Sequence, residues 1–175
     1  YYSYIKENNI QKILGQDEIP QEPQKKIFKN INASVDPTNQ IPYSAEFDDL
    51  SRLHFLVRKR KVSTILEFGE GKSTSIFADA LLKNKNNFNE YFVNNLRKKN
   101  LFEIHSIDNY KKWIDECLNN ISSKFIEQGV VNMHFSSLIT GEFLGRVCTY
   151  YEQLPNISPD LIYLDGPDQF SAKGD

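Results

Sequence analysis

The sequence predicts an α/β protein, a three-layer sandwich with a mostly parallel sheet and helices on both faces. Two observations carry this. Short apolar, β-branched stretches alternate with longer stretches of helical period. Each short stretch runs out into glycine, serine or aspartate, the residues that turn a chain and present polar groups at strand ends. A length of 175 residues suits one such domain with an appendage.

Residues 1–43 are polar and punctuated by Pro20, Pro23, Pro37 and Pro42, with one weakly helical stretch over Tyr4–Leu14. They read as an N-terminal arm or cap without a core of its own. The clustered Tyr1, Tyr2 and Tyr4 suit docking on the main domain or on a partner. Residues 44–175 form the main domain. From Phe47, apolar residues recur at Leu50, Leu53, Leu56 and Val57, a helical period. Asp48 and Asp49 lie at its start and Arg58-Lys-Arg-Lys61 at its end, complementing the helix dipole. As a charge run, 58–61 reads as a solvated helix end.

Val62–Phe68 predicts a buried strand, followed by Gly69 and Gly71 and a second helix from Ser73 with Ile76, Phe77, Ala80 and Leu81 on one face. Residues 83–100, rich in Asn and Lys, read as a surface insertion with a short helix. Leu101–Ile107 predicts a second strand. Tyr110 to about Gln128 predicts a third helix with Trp113, Cys117, Leu118, Ile121 and Phe125 as its apolar face, ended by Gly129. Val130–Ser136 predicts a third strand. A looser region follows, with a helix expected over Phe143–Tyr151. Leu161–Leu164 predicts a fourth strand, closed by Asp165-Gly166-Pro167.

Composition narrows the function classes. The chain is 39% hydrophobic and 25% charged, a globular balance, and its net charge of −2 gives no overall basic footprint for nucleic acid. Cys117 and Cys148 are too few and too far apart for a disulfide scaffold or a metal knuckle and are expected as buried free thiols. No apolar run approaches the roughly 18 residues of a membrane span. No signal peptide is visible at Tyr1, although the chain lacks an initiator Met. A cytoplasmic protein without membrane or nucleic-acid partners is the expectation.

Parallel sheets bind ligands at the carboxyl ends of their strands. The candidate site is therefore Gly69–Thr74, Asp108, Ser136–Ser137 and Asp165–Asp168. Three loop types compete for the first of these. A phosphate loop needs G-x-x-x-x-G-K-[ST]. Gly71-Lys72-Ser73 supplies its second half, but Leu66 stands where the first glycine belongs. A dinucleotide fingerprint needs G-x-G-x-x-G; Thr74 occupies the third glycine position, and Asp108 lies well beyond the roughly 20 residues at which the ribose acid is expected. The third type needs an apolar strand with an acid, then Gly-x-Gly and a hydroxyl residue. Ile65-Leu-Glu-Phe-Gly-Glu-Gly-Lys-Ser-Thr74 has this form. The same residues also suit an ordinary glycine turn, with Asp108 as a helix cap. Glu67 is harder to dismiss, because a carboxylate within an apolar strand is costly unless it is paired or faces a site.

In this third form the chain resembles the class I, Rossmann-like S-adenosylmethionine-dependent methyltransferases over about residues 45–170. The order of the motifs carries the resemblance: Glu67, Gly69, Glu70, Gly71, Ser73 and Thr74 after the first strand, Asp108 after the second, Ser136 and Ser137 after the third, and Asp165-Gly166-Pro167-Asp168 after the fourth. It implies that Gly69–Gly71 hold the methionine end of the cofactor, with Glu67 or Glu70 at its ammonium group. It implies that Asp108 accepts from the ribose hydroxyls and that Ser136 and Ser137 lie near the adenine. Asp165 is the candidate catalytic base. In catechol-type members an Asp at this position binds Mg²⁺, a role that needs further oxygen ligands; Asp168 reads first as a solvated turn residue. His54, His105 and His134 read as structural residues, spaced badly for a shared metal.

The expected function is methyl transfer to a small-molecule or glycan-like acceptor. The alternatives are a non-catalytic binding or scaffold domain of the same fold and a nicotinamide-dependent oxidoreductase. The family sheet has more strands than the four read here, so the domain is expected to be incomplete at its C-terminus. An open fourth-strand edge is a liability; either chain beyond Asp175 or a partner, such as a second copy in a homo-oligomer, is expected to cover it.

Overall fold

The computed structural model describes residues 1–19 and 45–167. The expected domain boundary at residues 43–44, the four arm prolines and Asp168 lie outside the described residues. The elements run α1 (Tyr2–Asn8), α2 (Ile10–Ile13), α3 (Phe47–Lys59), β1 (Thr64–Phe68), α4 (Lys72–Asn95), β2 (Glu103–Asp108), α5 (Lys111–Asn120), α6 (Ser123–Glu127), β3 (Val131–Phe135), β4 (Leu138–Phe143), β5 (Arg146–Tyr151) and β6 (Leu161–Leu164). β3, β2, β1 and β6 form one sheet in that order, every pair parallel. β4 and β5 form a separate antiparallel hairpin.

Alternation along the strands divides the sheet into two faces. Ile65, Ile104, Val131 and Leu161 point to one face and pack with Val57 of α3, Phe77, Ala78 and Leu81 of α4 and Phe125 of α6. Leu66, Phe68 and Ile107 point to the other. The sequence led us to expect helices on both faces. Among the described residues, the second face is met instead by Tyr151 and Leu138 of the hairpin and by Ile157 of the chain that returns to β6. The residues expected as a helix over Phe143–Tyr151 are the turn and second strand of this hairpin. Leu144 and Gly145 have φ of 50° and 76° and join Phe143 to its partner Arg146. Two consecutive positive φ values make the tight turn whose twist suits a hairpin. Leu is an uncommon residue there, which hides the turn from a reading by residue type.

Two further elements differ from expectation. α4 runs unbroken through Asn95, absorbing most of the expected insertion. Its buried positions continue as Ile76, Ala80, Asn84 and Phe92 on the inward side, so the Asn- and Lys-rich residues merely decorate its outer face. Asn84 is tolerated inside because its amide donates to the carbonyls of Val57 and Val62 (3.1 and 2.8 Å), tying α4 to the end of α3 and the segment that follows it. The expected third helix is two helices, broken at Ile121 and Ser122, both extended. Cys117 is buried and Cys148 half-buried, both free thiols. No helix among the described residues is long and apolar enough to cross a membrane.

The first residues of the arm dock on the domain. Ile5 and Ile10 are buried against Phe47, Leu50 and Ile76. A buried polar chain fixes the contact. The Tyr4 hydroxyl meets His54 Nδ1 at 2.7 Å, and His54 Nε2 meets Asp79 Oδ2 at 3.0 Å. Asp79 also pairs with Lys83 at 2.8 Å. Burial holds the His54 imidazole below its ordinary pKa, while His54 and Lys83 keep Asp79 low against its own burial. A neutral imidazole therefore donates to the carboxylate and accepts from Tyr4. This is the satisfied structural histidine that the sequence suggested.

At the carboxyl end of β1, the chain turns in a space only glycine fills. Gly69 has φ of 89°, and a Cβ there would lie 2.9 Å from the Asp165 carbonyl oxygen of the neighbouring β6 loop. Gly69→Ala is expected to lower the free energy of unfolding by about 2–4 kcal/mol through backbone strain and this clash. Urea denaturation of the variant beside the native chain measures it.

Candidate functional site

The site begins with Glu67. It is fully buried, and its carboxylate accepts from three hydroxyls: Ser73 Oγ (2.6 Å), Thr74 Oγ1 (2.7 Å) and Ser106 Oγ (2.6 Å). Burial pushes its pKa up to about 7, and the three hydroxyls pull against that. Thr74 Oγ1 also accepts the Gly71 amide at 3.1 Å. One carboxylate thus ties β1, β2 and the first turn of α4 together and sets the path of the Gly69–Gly71 loop between them. The expectation that Glu67 is paired or faces a site resolves to pairing; its oxygens are enclosed.

Glu70 takes the opposite course. Both its carboxylate oxygens are buried without a hydrogen-bond partner. The His134 main-chain amide exerts a weak pull but does not reach hydrogen-bond geometry. Burial, then the charges of Asp108 and Glu67, push the Glu70 carboxyl up to about 9. Asp108, at the end of β2, is itself buried. It accepts the Tyr110 amide at 2.7 Å, a local turn bond ahead of α5 whose N-cap is Tyr110 itself, and on its other oxygen the Glu70 amide at 3.3 Å. Its pKa is raised by burial and lowered by these amides. The glycine loop and the β2 acid, 38 positions apart in sequence, are therefore in direct contact.

Tyr151 completes the cluster, and the sequence reading missed it because it sat in an expected helix. Its ring stacks on Phe68, with centroids 5.5 Å apart and planes at 24°. Its hydroxyl is buried without a partner. Burial, with Asp108 and Glu70 nearby, holds the phenol well above its ordinary range. The β-branched and aromatic enrichment of Val147-Cys-Thr-Tyr-Tyr151 was the available signal for a strand.

The remaining expected residues divide. Ser136 is buried, but its hydroxyl accepts the Gln153 amide at 2.9 Å and so closes the base of the hairpin. Ser137 is exposed, and its carbonyl accepts the Glu152 amide. Asp165 is exposed at the end of β6, with its amide bonded to the Phe68 carbonyl at 2.8 Å. Partial burial raises its carboxyl, and the Tyr163 hydroxyl pulls it back. A Cβ on Gly71 would meet nothing within 4 Å, so space is open above the start of α4. Of the histidines, His105 and His134 come together across β2 and β3, Nδ1 to Nε2 at 3.0 Å, with Glu103 on the far nitrogen of His105. Their separation in sequence had hidden this. Among the described residues, no group of three or more His, Cys, Asp or Glu could hold a metal ion. A cavity of about 480 Å³ between the arm and α3, lined by Tyr1, Tyr4, Arg52 and Phe55, shares no residue with this cluster.

No protein-family model matches the chain, and no curated protein matches its sequence.

The strand-end cluster has a direct consequence for stability. Glu70 holds a proton in the folded chain up to about pH 9 that the unfolded chain releases near its ordinary value of 4.5. Its contribution is therefore intact below that ordinary value and is lost as pH rises through the folded pKa. Glu70→Gln, which has no carboxyl to hold protonated, is expected to raise the melting temperature by about 2–4 °C at pH 8. The gain should vanish near pH 4. Calorimetric melts across that range test it; a gain that grows toward acid pH contradicts it.

Proposed function

We propose that this chain binds S-adenosylmethionine at the carboxyl ends of β1, β2 and β6 and transfers its methyl group to a small-molecule or glycan-like acceptor, on a Rossmann-like framework of the class I methyltransferase type. The observation that carries this reading is the Glu70–Asp108 contact, which joins the glycine loop to the β2 acid beside Glu70 oxygens that no group among the described residues satisfies. The sheet order supports it. β1 lies between β2 and β6, where the strand order reverses, and open parallel sheets bind ligands at that switch point.

The residues present fit the chemistry of this ligand. Asp108 has carboxylate oxygens suited to accept from a ribose diol, by charge-assisted bonds. Glu70 offers an unpaired carboxyl for an ammonium group, and a cation beside it would draw off the proton that burial retains. Gly71 leaves open space above the start of α4 where the cofactor would lie. When bound, the cofactor supplies an electrophilic methyl group on a positively charged sulfur. The chain contributes orientation, and Glu67 acts here as the peg that holds the loop. Asp165 is the residue placed to take a proton from an acceptor hydroxyl, since it is exposed at the rim where the β1 and β6 loops touch.

Titration calorimetry with S-adenosylmethionine and S-adenosylhomocysteine tests the reading. The folded chain is expected to bind both, and Asp108→Ala to weaken binding about 30-fold, the loss of charge-assisted bonds worth about 2 kcal/mol. Absence of binding by a folded chain, or saturable binding of a reduced nicotinamide cofactor in its place, would overturn it.

A further inference from the structure

We infer that Tyr151, carried on the β4–β5 hairpin, is a ligand-binding residue of the strand-end site, closing it over Phe68 and directing its hydroxyl at a hydroxyl group of the ligand beside Asp108. The inference rests on the functional reading above and goes further by assigning a contact to a hairpin residue.

The position of Tyr151 is fixed relative to Asp108 by main-chain bonds. The Ser136 amide donates to the Asp108 carbonyl at 3.0 Å, so the chain leaving β3 is tied to the end of β2. The Gln153 amide donates to Ser136 Oγ, and the Glu152 amide to the Ser137 carbonyl. Tyr151 pairs with Leu138 in the hairpin. Its side chain is thus preorganised, and binding costs little further ordering.

The ring alone accounts for the packing. It stacks on Phe68 and joins Leu66 and Ile107 in a small apolar cluster. Phenylalanine would fill that space equally well. The hydroxyl takes no part in the packing: Tyr151 is 6% exposed, and its oxygen has no partner among the described residues. Leaving a buried polar group unsatisfied opposes folding. Two flanking carboxyls and burial keep the phenol protonated, so it can donate and accept but cannot act as a nucleophile. Beside the Asp108 carboxylate, a phenol that can donate and accept suits a ligand bearing hydroxyl groups.

The test uses the whole chain and Tyr151→Phe, measuring the Kd for S-adenosylhomocysteine by calorimetry and the melting temperature without ligand. The expected result is binding weakened about tenfold, with a melting temperature equal to the native value or higher, because the orphaned hydroxyl is gone. Unchanged affinity overturns the inference and leaves the functional reading standing. A melting temperature lowered by more than about 2 °C identifies the hydroxyl as a structural group and overturns it as well. If the folded native chain binds no S-adenosylhomocysteine, the functional reading itself fails, and this inference with it.

Discussion

A carboxylate buried among hydroxyls sets the geometry on which the rest of the strand-end cluster depends. Glu67 has no exposure, yet its oxygens collect three hydroxyl donors from two segments far apart in the chain. Burying such a group without partners would be costly. With Ser73, Thr74 and Ser106 in place, the cost becomes a constraint, because the loop can take only a path that keeps all three bonds. That path brings Gly69 against the β6 loop and the Glu70 amide to Asp108. The two acids of the loop, three residues apart, are thereby given opposite tasks. One is spent on the fold, and the other is left unsatisfied.

The hairpin is the second organising feature. A chain leaving β3 must cross the sheet to reach β6 on the far side of β1. Here the crossing is made by β4, β5 and the segment after them, which lays Tyr151, Leu138 and Ile157 on the sheet's second face. A hairpin covers less of a sheet than a helix, and Ile162 and Leu164 of β6 are 60% and 73% exposed on that side. In exchange, an aromatic residue reaches the strand ends, where Phe68 holds its ring. The first face has no such opening. Residues of α3, α4 and α6 pack on it, and the arm is added through Ile5, Ile10 and the Tyr4–His54–Asp79 chain.

By itself the sequence determined the four parallel strands and their order along the chain, the glycine turn after the first, and the acids at the ends of the second and fourth. These are local properties: apolar runs of strand length, glycine where backbone must bend, and carboxylates where strands stop. It also excluded a phosphate loop, since Leu66 leaves no first glycine. Only the tertiary structure decided which acid faces inward. Glu67 and Glu70 are alike in type and separated by one turn, and the difference lies in Ser106, 39 positions from Glu67. The same holds for the long α4, whose polar outer face resembles an insertion until Asn84 and Phe92 are seen packed beneath it. It holds for the hairpin, whose Leu144-Gly145 turn has Leu at its first position, and for His105 and His134, brought together by strand pairing alone. Periodicity and turn chemistry reach only a few residues along the chain, whereas the satisfaction of a buried polar group is settled by whatever the fold places against it.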